Sequence, residues 1–536
     1  MFNFAITPLG NLFFGLTIIA FFSLIFIKQK RENYLLYVIL FSSLGVIFYA
    51  NDLITLFIGW EIMSWSSYFI ISQDATLKTA QKYIIFNLGG GFALLGAIVL
   101  IYSFTGTFIY DDIIFNKIPV ELRKPIYILL FITISIKSGL IPFHYWVVDT
   151  YQEADNLFSA ILSAIISKSG IFLFIIIFTK IVGYKYLYSN IFDIVAWLGV
   201  ITSIVATVKA ISQDDIKRLL AYSSIAQIGY IVTILSVVHG NSIEAGLYHT
   251  IIHTFVKLLL FINIASIIYI TGKSRFSELG GLLYRYPMLF ILLLIGIIGL
   301  AGVPPLGGFN SKFLIYTTLL EQKKVFLLVA IMFSSVLAFL YCFKLIYGIY
   351  LGDEVNRSEH KSLPKGYYIP QILSALILVI LGALPALGTK TLNPILISLD
   401  FKPTSYSSLF ELNSHFASLN GGVVMGVFIV IFILILTIAL LVSNRTIKVR
   451  DKRDISYCGE VPQTNLHYGY GLGRELKRIE FIRVILDNSV SPYWNRVALI
   501  TKDSSSILIT LYNLTVQNIG LLIVLFFTIL LFIGVR

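Results

Sequence analysis

The feature that most constrains the fold is a long series of apolar blocks that runs through almost the whole 536-residue chain. Most blocks are about 18 to 25 residues long, the length a helix needs to cross a bilayer. Only 13% of the residues are charged, whereas a soluble domain carries about 25%. A membrane β-barrel would show short alternating segments instead, and the sequence has none. These features predict an all-α polytopic membrane protein.

We predict about 14 membrane-spanning helices. The tenth, residues 286–320, is interrupted at Val303–Gly308, so it is either one broken helix or two helices. Counted as one, it leaves the basic loops around Lys217, Lys273 and Lys361 on the cytoplasmic side, as the positive-inside rule requires. The spans are residues 8–27, 34–50, 52–72, 82–104, 125–147, 157–179, 190–210, 218–237, 244–270, 286–320, 325–350, 368–388, 419–443 and 511–535.

The charge distribution predicts orientation and partners. The formal net charge is +12, but the basic residues cluster in short loops, which indicates membrane topology rather than nucleic-acid binding. Lys28, Lys30 and Arg31 follow the first apolar run and no basic residue precedes it, unlike a cleavable signal peptide. We therefore expect an outside N-terminus in a prokaryotic cytoplasmic membrane, with the lipid bilayer as surroundings and no nucleic-acid partner.

No redox cofactor or nucleotide site is predicted in this chain. Cys342 and Cys458 are too few to hold an iron–sulfur cluster alone. The chain has no P-loop, and Gly89–Gly91 lies within a predicted helix rather than at a strand–helix turn. Any energy source is therefore expected in a partner protein.

Lys137 is the strongest functional candidate. Pro142 follows it by five residues, so the helix is expected to break beside the lysine. Broken backbone at membrane depth occurs inside protein or beside a water-filled cavity, where an ammonium can exchange protons. The alternative is a lysine that extends its ammonium to the membrane surface.

Three more candidates lie inside apolar blocks. Lys312 follows Pro304-Pro305, so each half of the chain has a broken helix with a lysine, a pattern typical of transporters built from repeats. The alternative is a lysine near a helix end. Lys168 lies in the apolar block 157–179. Glu61 is the only acidic residue in the interior of its block, which begins at Asp52. It is expected to contact a lysine, unless it is neutral and bonded to backbone.

His249, His253 and Lys257 are spaced i, i+4, i+8, so they share one helix face. Zinc would need a third protein ligand, and no HExxH pattern is present. A proton relay suits the pattern because histidine titrates near neutral pH; packing histidines are the alternative. Asp149, Glu153 and Asp155 follow HYWVV, where they either supply protons from the cytoplasm or lie in a solvated surface.

Five strings resemble those of the antiporter-like subunits of respiratory complex I, Mrp antiporters and membrane-bound hydrogenases. The resemblance covers about residues 34–350 and implies two inverted five-helix repeats, at 34–179 and 190–350. It implies that Glu61 and Lys137 form a coupled pair, Lys168 and Lys257 a central relay, and Lys312 the terminal lysine. Lys344 would occupy the second-repeat place of Lys168. The strings are SIKSGLIPFHYW, SAILSAIISKSG, QDDIKRLLAYSSIAQIGY, HTIIHTFVKLLLF and GLAGVPPLGGFNSKFLIY.

The chain departs from the complex I members at both ends. Only two predicted helices precede the block with Glu61, where those members have about two more. The tail, with Tyr457-Cys458-Gly459-Glu460, is similar to the large antiporter-like subunit of energy-converting [NiFe] hydrogenases. That likeness implies a peripheral redox arm and further membrane subunits as partners, which would hold nickel–iron and iron–sulfur centres. The translocated ion, H⁺ or Na⁺, is left open.

The remaining segments complete the predicted organisation. Residues 1–33 form an N-terminal span, and 351–443 contain two additional spans. Residues 444–510 form a polar cytoplasmic segment before the last span at 511–536. Within it, Arg474–Leu486 alternates charged and apolar residues at helical spacing, which indicates either an amphipathic helix on the membrane surface or a partly ordered loop.

Overall fold

The computed structural model describes residues 3–27, 34–182, 189–351, 361–414, 417–443, 476–487 and 490–512. These residues are helical apart from one short β-hairpin and the connections. Within these described ranges, eleven helical stretches are long and apolar enough to cross a membrane, and two shorter ones are also apolar. The predicted all-α polytopic class is confirmed. The predicted fourteenth span falls almost entirely outside the described residues, so the total of about 14 stays a prediction.

The helices follow the predicted apolar blocks closely. In chain order they are α1 Pro8–Ile25, α2 Tyr34–Tyr49, α3 Leu53–Ile71, α4 Leu77–Thr105, α5 Val120–Ser138, α6 Val147–Glu153, α7 Asn156–Ala164, α8 Ser169–Ile176, α9 Ser189–Ser212, α10 Ile216–Leu235, α11 Gly240–Thr271, α12 Pro287–Ala301, α13 Gly307–Glu321, α14 Val325–Tyr350, α15 Tyr368–Ala383, α16 Ala386–Ser398, α17 Gly421–Ser443, α18 Glu480–Asp487 and α19 Ser491–Tyr512.

Polar caps mark where several helices begin. Asp52 accepts a hydrogen bond from the Thr55 backbone at the start of α3. Asp215 does the same for Lys217 and Arg218 at the start of α10. A side-chain oxygen at this position satisfies backbone N–H groups that have no partner within the helix. These acidic residues therefore fix the helix ends.

The helix ends lie on two faces. One face contains the Asn3 carbonyl, which accepts from the Asn51 backbone N–H at 3.0 Å, and Asn241, whose side-chain amide donates to the Glu321 carboxylate at 2.9 Å. We call it the N-terminal face. On the opposite face Asp215 forms a β-bridge with Arg275. α11, the longest helix, has 32 residues, and nearly all of it is buried. At 1.5 Å per residue it is about 48 Å long and connects the two faces through the core.

Residues 286–320 cross once, as predicted. The chain enters α12 beside the end of α14, where Leu283 donates to the Tyr350 carbonyl at 3.1 Å. It leaves α13 on the N-terminal face, where Glu321 meets Asn241. α12 and α13 have 15 residues each, about 22 Å, so neither is long enough to cross alone. The prediction of one broken helix is confirmed.

The first broken helix is also confirmed, and a third was not predicted. α5 ends at Gly139, whose φ of +73° suits glycine, and α6 resumes after a 3₁₀ turn at Phe143–Trp146. The unpredicted break lies between α7 and α8, where Ile165 has non-helical angles and a 3₁₀ turn covers Ile166–Lys168. No proline or paired glycine marks this break, so the sequence carried no local signal for it.

Residues 384–420 differ from the prediction. The predicted helix 368–388 ends at Ala383, and a second helix, α16, begins after Pro385. Strands β1 Glu411–Asn413 and β2 Ser418–Asn420 then pair antiparallel, with Leu412 opposite Leu419. The prediction missed α16 because its sequence is short and mixes polar with apolar residues.

The C-terminal segment is more helical than predicted. The predicted amphipathic stretch Arg474–Leu486 overlaps α18, which begins at Glu480 and ends at Asp487. α19 runs for 22 residues, Ser491–Tyr512, where a cytoplasmic segment was expected up to residue 510. Of the described residues, Asp487 and 490–512 form a separate compact unit. The prediction for Cys458 lies outside the described residues.

Candidate functional site

Lys137 lies in the last turn of α5 and is only 1% exposed. Its Nζ donates to Asn87 Oδ1 at 3.0 Å and to Ser64 Oγ at 3.3 Å. The same Nζ lies 5.5 Å from the centre of the Trp60 ring, a cation–π distance. Burial this deep excludes the alternative that the ammonium extends to the membrane surface. Lys137 is instead held by neutral oxygens and an aromatic face.

Glu61 does not contact Lys137 in this structure. Its Oε1 is buried without a hydrogen-bond partner, and the carboxylate packs against Gly91, where a Cβ would collide with Oε1. Glu61 and Ser64 are three residues apart on α3, so the carboxylate lies about one turn from the hydroxyl that binds Lys137. The predicted direct pair is therefore not formed here, and its role as a coupled pair stays a prediction.

Lys168 uses the unpredicted break between α7 and α8. The Ser163 carbonyl has lost its helical partner there and accepts a short hydrogen bond from Lys168 Nζ. Thr254 Oγ1 donates to the next carbonyl, that of Ala164, at 3.2 Å. Lys168 itself is fully buried. The break thus supplies the oxygen that compensates for removing an ammonium from water.

Serine residues lie between Lys257 and Lys168, although their hydrogen bonds do not form an unbroken chain. Lys257 Nζ donates to Ser223 Oγ at 2.6 Å and to the Leu220 carbonyl at 3.2 Å. The neighbouring Ser224 shares a hydrogen bond of 2.9 Å with the hydroxyl of Ser163, whose carbonyl holds Lys168. The two lysines expected to form the central relay are therefore brought together, with hydroxyl groups between them.

The two histidines lie in different surroundings. His249 Nδ1 is 2.9 Å from Ser311 Oγ, and its Nε2 is 3.0 Å from Gln227 Oε1. Neither ring nitrogen of His253 has a partner, although the side chain is buried. The two rings are nearly parallel, with centroids 6.4 Å apart. Nowhere in the described residues do three histidine, cysteine or acidic side chains group as metal ligands.

Lys312 repeats the pattern at the break between α12 and α13. Its Nζ donates to the Ala301 carbonyl at 2.6 Å and to Ser335 Oγ at 2.8 Å. Ala301 ends α12, and Gly302 follows with a φ of +73°, so this carbonyl has no helical donor. The Tyr230 ring lies 5.3 Å from the ammonium. Lys312 is thus fixed inside the protein by the helix break.

Lys344 lies apart from these groups. Its Nζ donates to the carbonyls of Ile211 and Gln213 at 3.1 and 2.6 Å, and the Phe276 ring is 5.1 Å away. It therefore covers the C-terminal end of α9, where a cation interacts favourably with the helix dipole. This geometry is sufficient for a stabilising role, and its proposed role in ion translocation stays a prediction.

The three carboxylates after HYWVV have different contacts. Asp149 forms ion pairs with Lys82 and, at 3.1 Å, with Arg218. Glu153 accepts from the backbone and the hydroxyl of Thr76 at 2.9 and 2.7 Å. Asp155 caps α7 by accepting from two backbone N–H groups of its first turn. Glu153 and Asp155 thus stabilise helix ends, whereas Asp149 joins a half-exposed charge network.

The sequence analysis missed the neutral groups of the site. Asn87, Ser163, Ser223 and Gln227 hold or connect the predicted residues. Their signal was available, because amides and hydroxyls inside apolar blocks need partners. His144 was also missed: it is buried, its Nδ1 has no partner, and its ring centroid is 6.4 Å from that of Tyr222.

Comparison with protein families gives one match over more than half of the chain. Residues 50–338 match the family described as NADH:quinone oxidoreductase/Mrp antiporter, TM. The matched region contains Glu61, Lys137, Lys168, Lys257 and Lys312. All the residues predicted to translocate the ion, apart from Lys344, therefore lie within the part of the chain that the family defines.

Curated relatives come from two kinds of complex. The A-type subunit of the Na(+)/H(+) antiporter of Alkalihalophilus pseudofirmus is 29% identical over 416 residues, which cover 70% of this chain and 51% of that protein. The N-type subunit of the NADH-quinone oxidoreductase of Azobacteroides pseudotrichonymphae is 29% identical over 330 residues, 60% of this chain and 68% of that protein. The chain thus spans about half the length of the antiporter protein.

Solved structures share the fold. A chain of the membrane-bound sulfane sulfur reductase, an archaeal respiratory membrane complex, superposes with a TM-score of 0.87 and 27% identity, covering 98% of this chain and 89% of that chain. A chain of the Mrp complex from Dietzia sp. gives 0.66 and 19% identity, covering 74% and 85%. The match to the sulfane sulfur reductase chain therefore extends over regions of this chain that the match to the Mrp chain does not cover.

Proposed function

Because this chain belongs to the NADH:quinone oxidoreductase/Mrp antiporter transmembrane family, we propose that it is the ion-translocating antiporter-like membrane subunit of a redox-driven respiratory complex related to complex I. The observation that carries the proposal is the set of four lysines buried at membrane depth, each held by hydroxyl, amide or free carbonyl oxygens. They are Lys137, Lys168, Lys257 and Lys312. Buried charge of this kind is costly and marks an ion path.

The proposed sequence of steps starts at Lys137. A conformational or electrostatic change in partner subunits alters the distance between Glu61 and Lys137. Lys137 then exchanges a proton towards Lys168, and the proton passes on to Lys257 through the region that Ser163, Ser223 and Ser224 line. His253 and His249 lie on α11 with Lys257, and His249 bonds Ser311 of α13, the residue next to Lys312. The proton therefore passes along α11 to Lys312, which releases it outward. Hydroxyl and imidazole groups can each donate and accept a proton, which is what such a relay needs.

We propose that the complex belongs to the class of energy-converting membrane-bound hydrogenases and related sulfur reductases. The similarity to the sulfane sulfur reductase chain over 98% of this chain supports this class. Nickel–iron and iron–sulfur centres are then expected in partner subunits of a peripheral arm. The sulfur-reductase variant has the structural match in its favour, whereas the hydrogenase variant rests on the sequence of the tail.

The second candidate function is that of an Mrp-type cation/proton antiporter component that works without a redox partner. The relatives named as A-type and D-type subunits of Na(+)/H(+) antiporters favour it. Both functions use the same buried lysines, so they differ in the source of energy and in whether Na⁺ moves.

The deciding experiment is purification of the chain with its partners from the native membrane, followed by reconstitution in vesicles. If the proposal is correct, hydrogenase or sulfur-reductase activity and iron–sulfur centres co-purify, and turnover drives ion transport that Lys137→Ala abolishes. Nickel in the complex would identify the hydrogenase variant. A complex without redox activity that exchanges ²²Na⁺ for protons would refute the redox-driven function and identify the antiporter.

A further inference from the structure

A polar cavity of about 760 Å³ opens at the N-terminal face beside the start of α11. It is large enough for many water molecules and lined well enough with polar groups to hold them. Its walls include the segment Asp400–Ser405, which follows α16. The charged and titratable groups around it are His239, Glu244, Tyr248, Glu321, Asp400 and Lys402.

Glu244 is the buried acid of this cavity. Its side chain is only 2% exposed, and Oε1 has no hydrogen-bond partner. The other oxygen, Oε2, accepts a short hydrogen bond from Thr404 Oγ1. No basic side chain forms an ion pair with Glu244 in the described part of the chain. A carboxyl oxygen that is buried beside a water-filled cavity and has no hydrogen-bond partner can accept and release a proton.

The cavity reaches the relay along two helices. On α11, Glu244 precedes His249 by five residues, a rise of about 7.5 Å. On α13, Ser311, Leu314 and Thr318 share one face because they are spaced i, i+3, i+7. Ser311 bonds His249, whereas Leu314 and Thr318 line the cavity. The face of α13 that lines the cavity therefore also carries the serine that bonds His249.

We propose that Glu244 is the proton-exchange group between the relay and water at the N-terminal face. This inference rests on the proposed function and adds to it the exit of the path. A proton that leaves the N–H of Lys312 or His249 forms an O–H bond at Glu244 Oε1. That O–H bond breaks when the proton passes to cavity water. Three carboxylates against Lys402 make the cavity acidic, which favours the departing cation.

The first test uses Glu244→Gln, which keeps the shape and the acceptor for Thr404 but cannot exchange a proton. In the assembled complex we expect proton transport per electron to fall at least tenfold, and Glu244→Asp to restore much of it. Glu411→Gln, on strand β1 at the same face, is the matched control and should transport normally. Lys312→Met is measured in parallel to separate the exit group from the relay.

The outcomes are distinguishable. Normal transport in Glu244→Gln together with loss in Lys312→Met would overturn the role of Glu244 and leave the proposed function intact. Normal transport in both would overturn the proposed function itself. Loss in Glu244→Gln that Glu244→Asp does not relieve, with altered assembly of the complex, would identify Glu244 as structural and also overturn the proposal.

The second test measures water access without relying on transport. In a chain with Cys342→Ala and Cys458→Ser, Thr318→Cys should react with a membrane-impermeant cationic thiol reagent from the N-terminal face alone. Thr317→Cys, the adjacent threonine, does not line the cavity and should react at least tenfold more slowly. Equal rates at the two positions, or reaction of Thr318→Cys from the opposite face, would overturn the cavity as the exit.

Discussion

The buried lysines share one way of being stabilised, which is contact with oxygens that carry no formal charge. Lys168 and Lys312 use carbonyls released by helix breaks, and Lys137 uses an amide and a hydroxyl. A carboxylate partner would bind the ammonium more strongly and hold its proton. Neutral partners leave each lysine able to gain and lose a proton, which is the property that a relay requires.

Replacement of Lys137 gives the most direct test at this scale. Lys137→Ala removes a costly buried charge and leaves Asn87 and Ser64 to bond water, so the complex should still assemble. Ion transport per electron should fall at least tenfold in reconstituted vesicles. Lys390→Ala, an exposed lysine on α16, is the control. Undiminished transport in assembled Lys137→Ala complex would contradict the role.

The position of Glu61 can be tested through the glycine beside it. Gly91→Ala places a methyl group where Glu61 Oε1 now lies, so the flexible carboxylate must move while the helices stay packed. We expect normal assembly with transport reduced several-fold. Gly89→Ala, two residues earlier on α4, meets no atom within 4 Å and should be silent. Equal transport in the two variants would show that the placement of Glu61 is unimportant.

Coupling between Glu61 and Lys137 is measured by a double-mutant cycle. The two groups do not touch in this structure, so a functional pair requires a second conformation in which they do. Removing one member of such a pair leaves the other as an unpaired buried charge. The loss in the double variant is then smaller than the sum of the losses in the two single variants. Glu61→Gln, Lys137→Met and the double variant should therefore give strongly non-additive losses in pumping rate. Strictly additive losses would exclude the pair as the coupling switch.

At the scale of elements, the helix breaks position the site, and their predictability differs. Prolines in the sequence predicted the breaks beside Lys137 and Lys312, because a proline lacks the backbone N–H that a helix needs. The break beside Lys168 has no such residue and depends on packing against α11, where Thr254 bonds the released carbonyl. Local sequence therefore predicted two of the three breaks, and the third is a tertiary effect.

Close packing of the two halves of the broken helix is testable at Gly308. A Cβ there would collide with the backbone carbonyl of Gly299 on α12, and a backbone atom cannot move aside cheaply. We expect Gly308→Ala to destabilise the protein by about 1–3 kcal/mol. Gly15→Ala, where a Cβ meets nothing within 4 Å, is the control. Thermal unfolding of detergent-solubilised complex should show a lower midpoint only for Gly308→Ala.

For the whole molecule, the succession of apolar blocks predicted the crossing pattern well. What it did not predict is α16, the β-hairpin and the full length of α19. These elements are short or polar, and their positions depend on contacts with neighbouring residues rather than on membrane length. The same holds for the site. Charged residues in apolar blocks were conspicuous in the sequence, whereas the pairing of each lysine with a particular amide, hydroxyl or carbonyl became evident only in three dimensions.

The orientation of the whole molecule in the membrane can also be tested. With one broken helix at 286–320, positive-inside counting places Lys361 and Cys458 in the cytoplasm and the N-terminus outside. Thiol labelling of Cys458 in sealed vesicles of known orientation should succeed only from the cytoplasmic side. Buried Cys342 should remain unlabelled and serves as the internal control. Labelling of Cys458 only from outside would reverse the predicted topology.

Holding ammonium groups by carbonyl dipoles has an electrical consequence. Without fixed counter-ions beside Lys168, Lys257 and Lys312, the charge stored inside the protein equals the number of protons loaded at that moment. Each proton on one lysine repels the next, so loading is sequential, and the membrane voltage acts on every transfer, at about 2.3 kcal/mol per charge per 100 mV across the full thickness. In the proposed relay, a high membrane voltage would therefore slow the loading of protons onto the lysines.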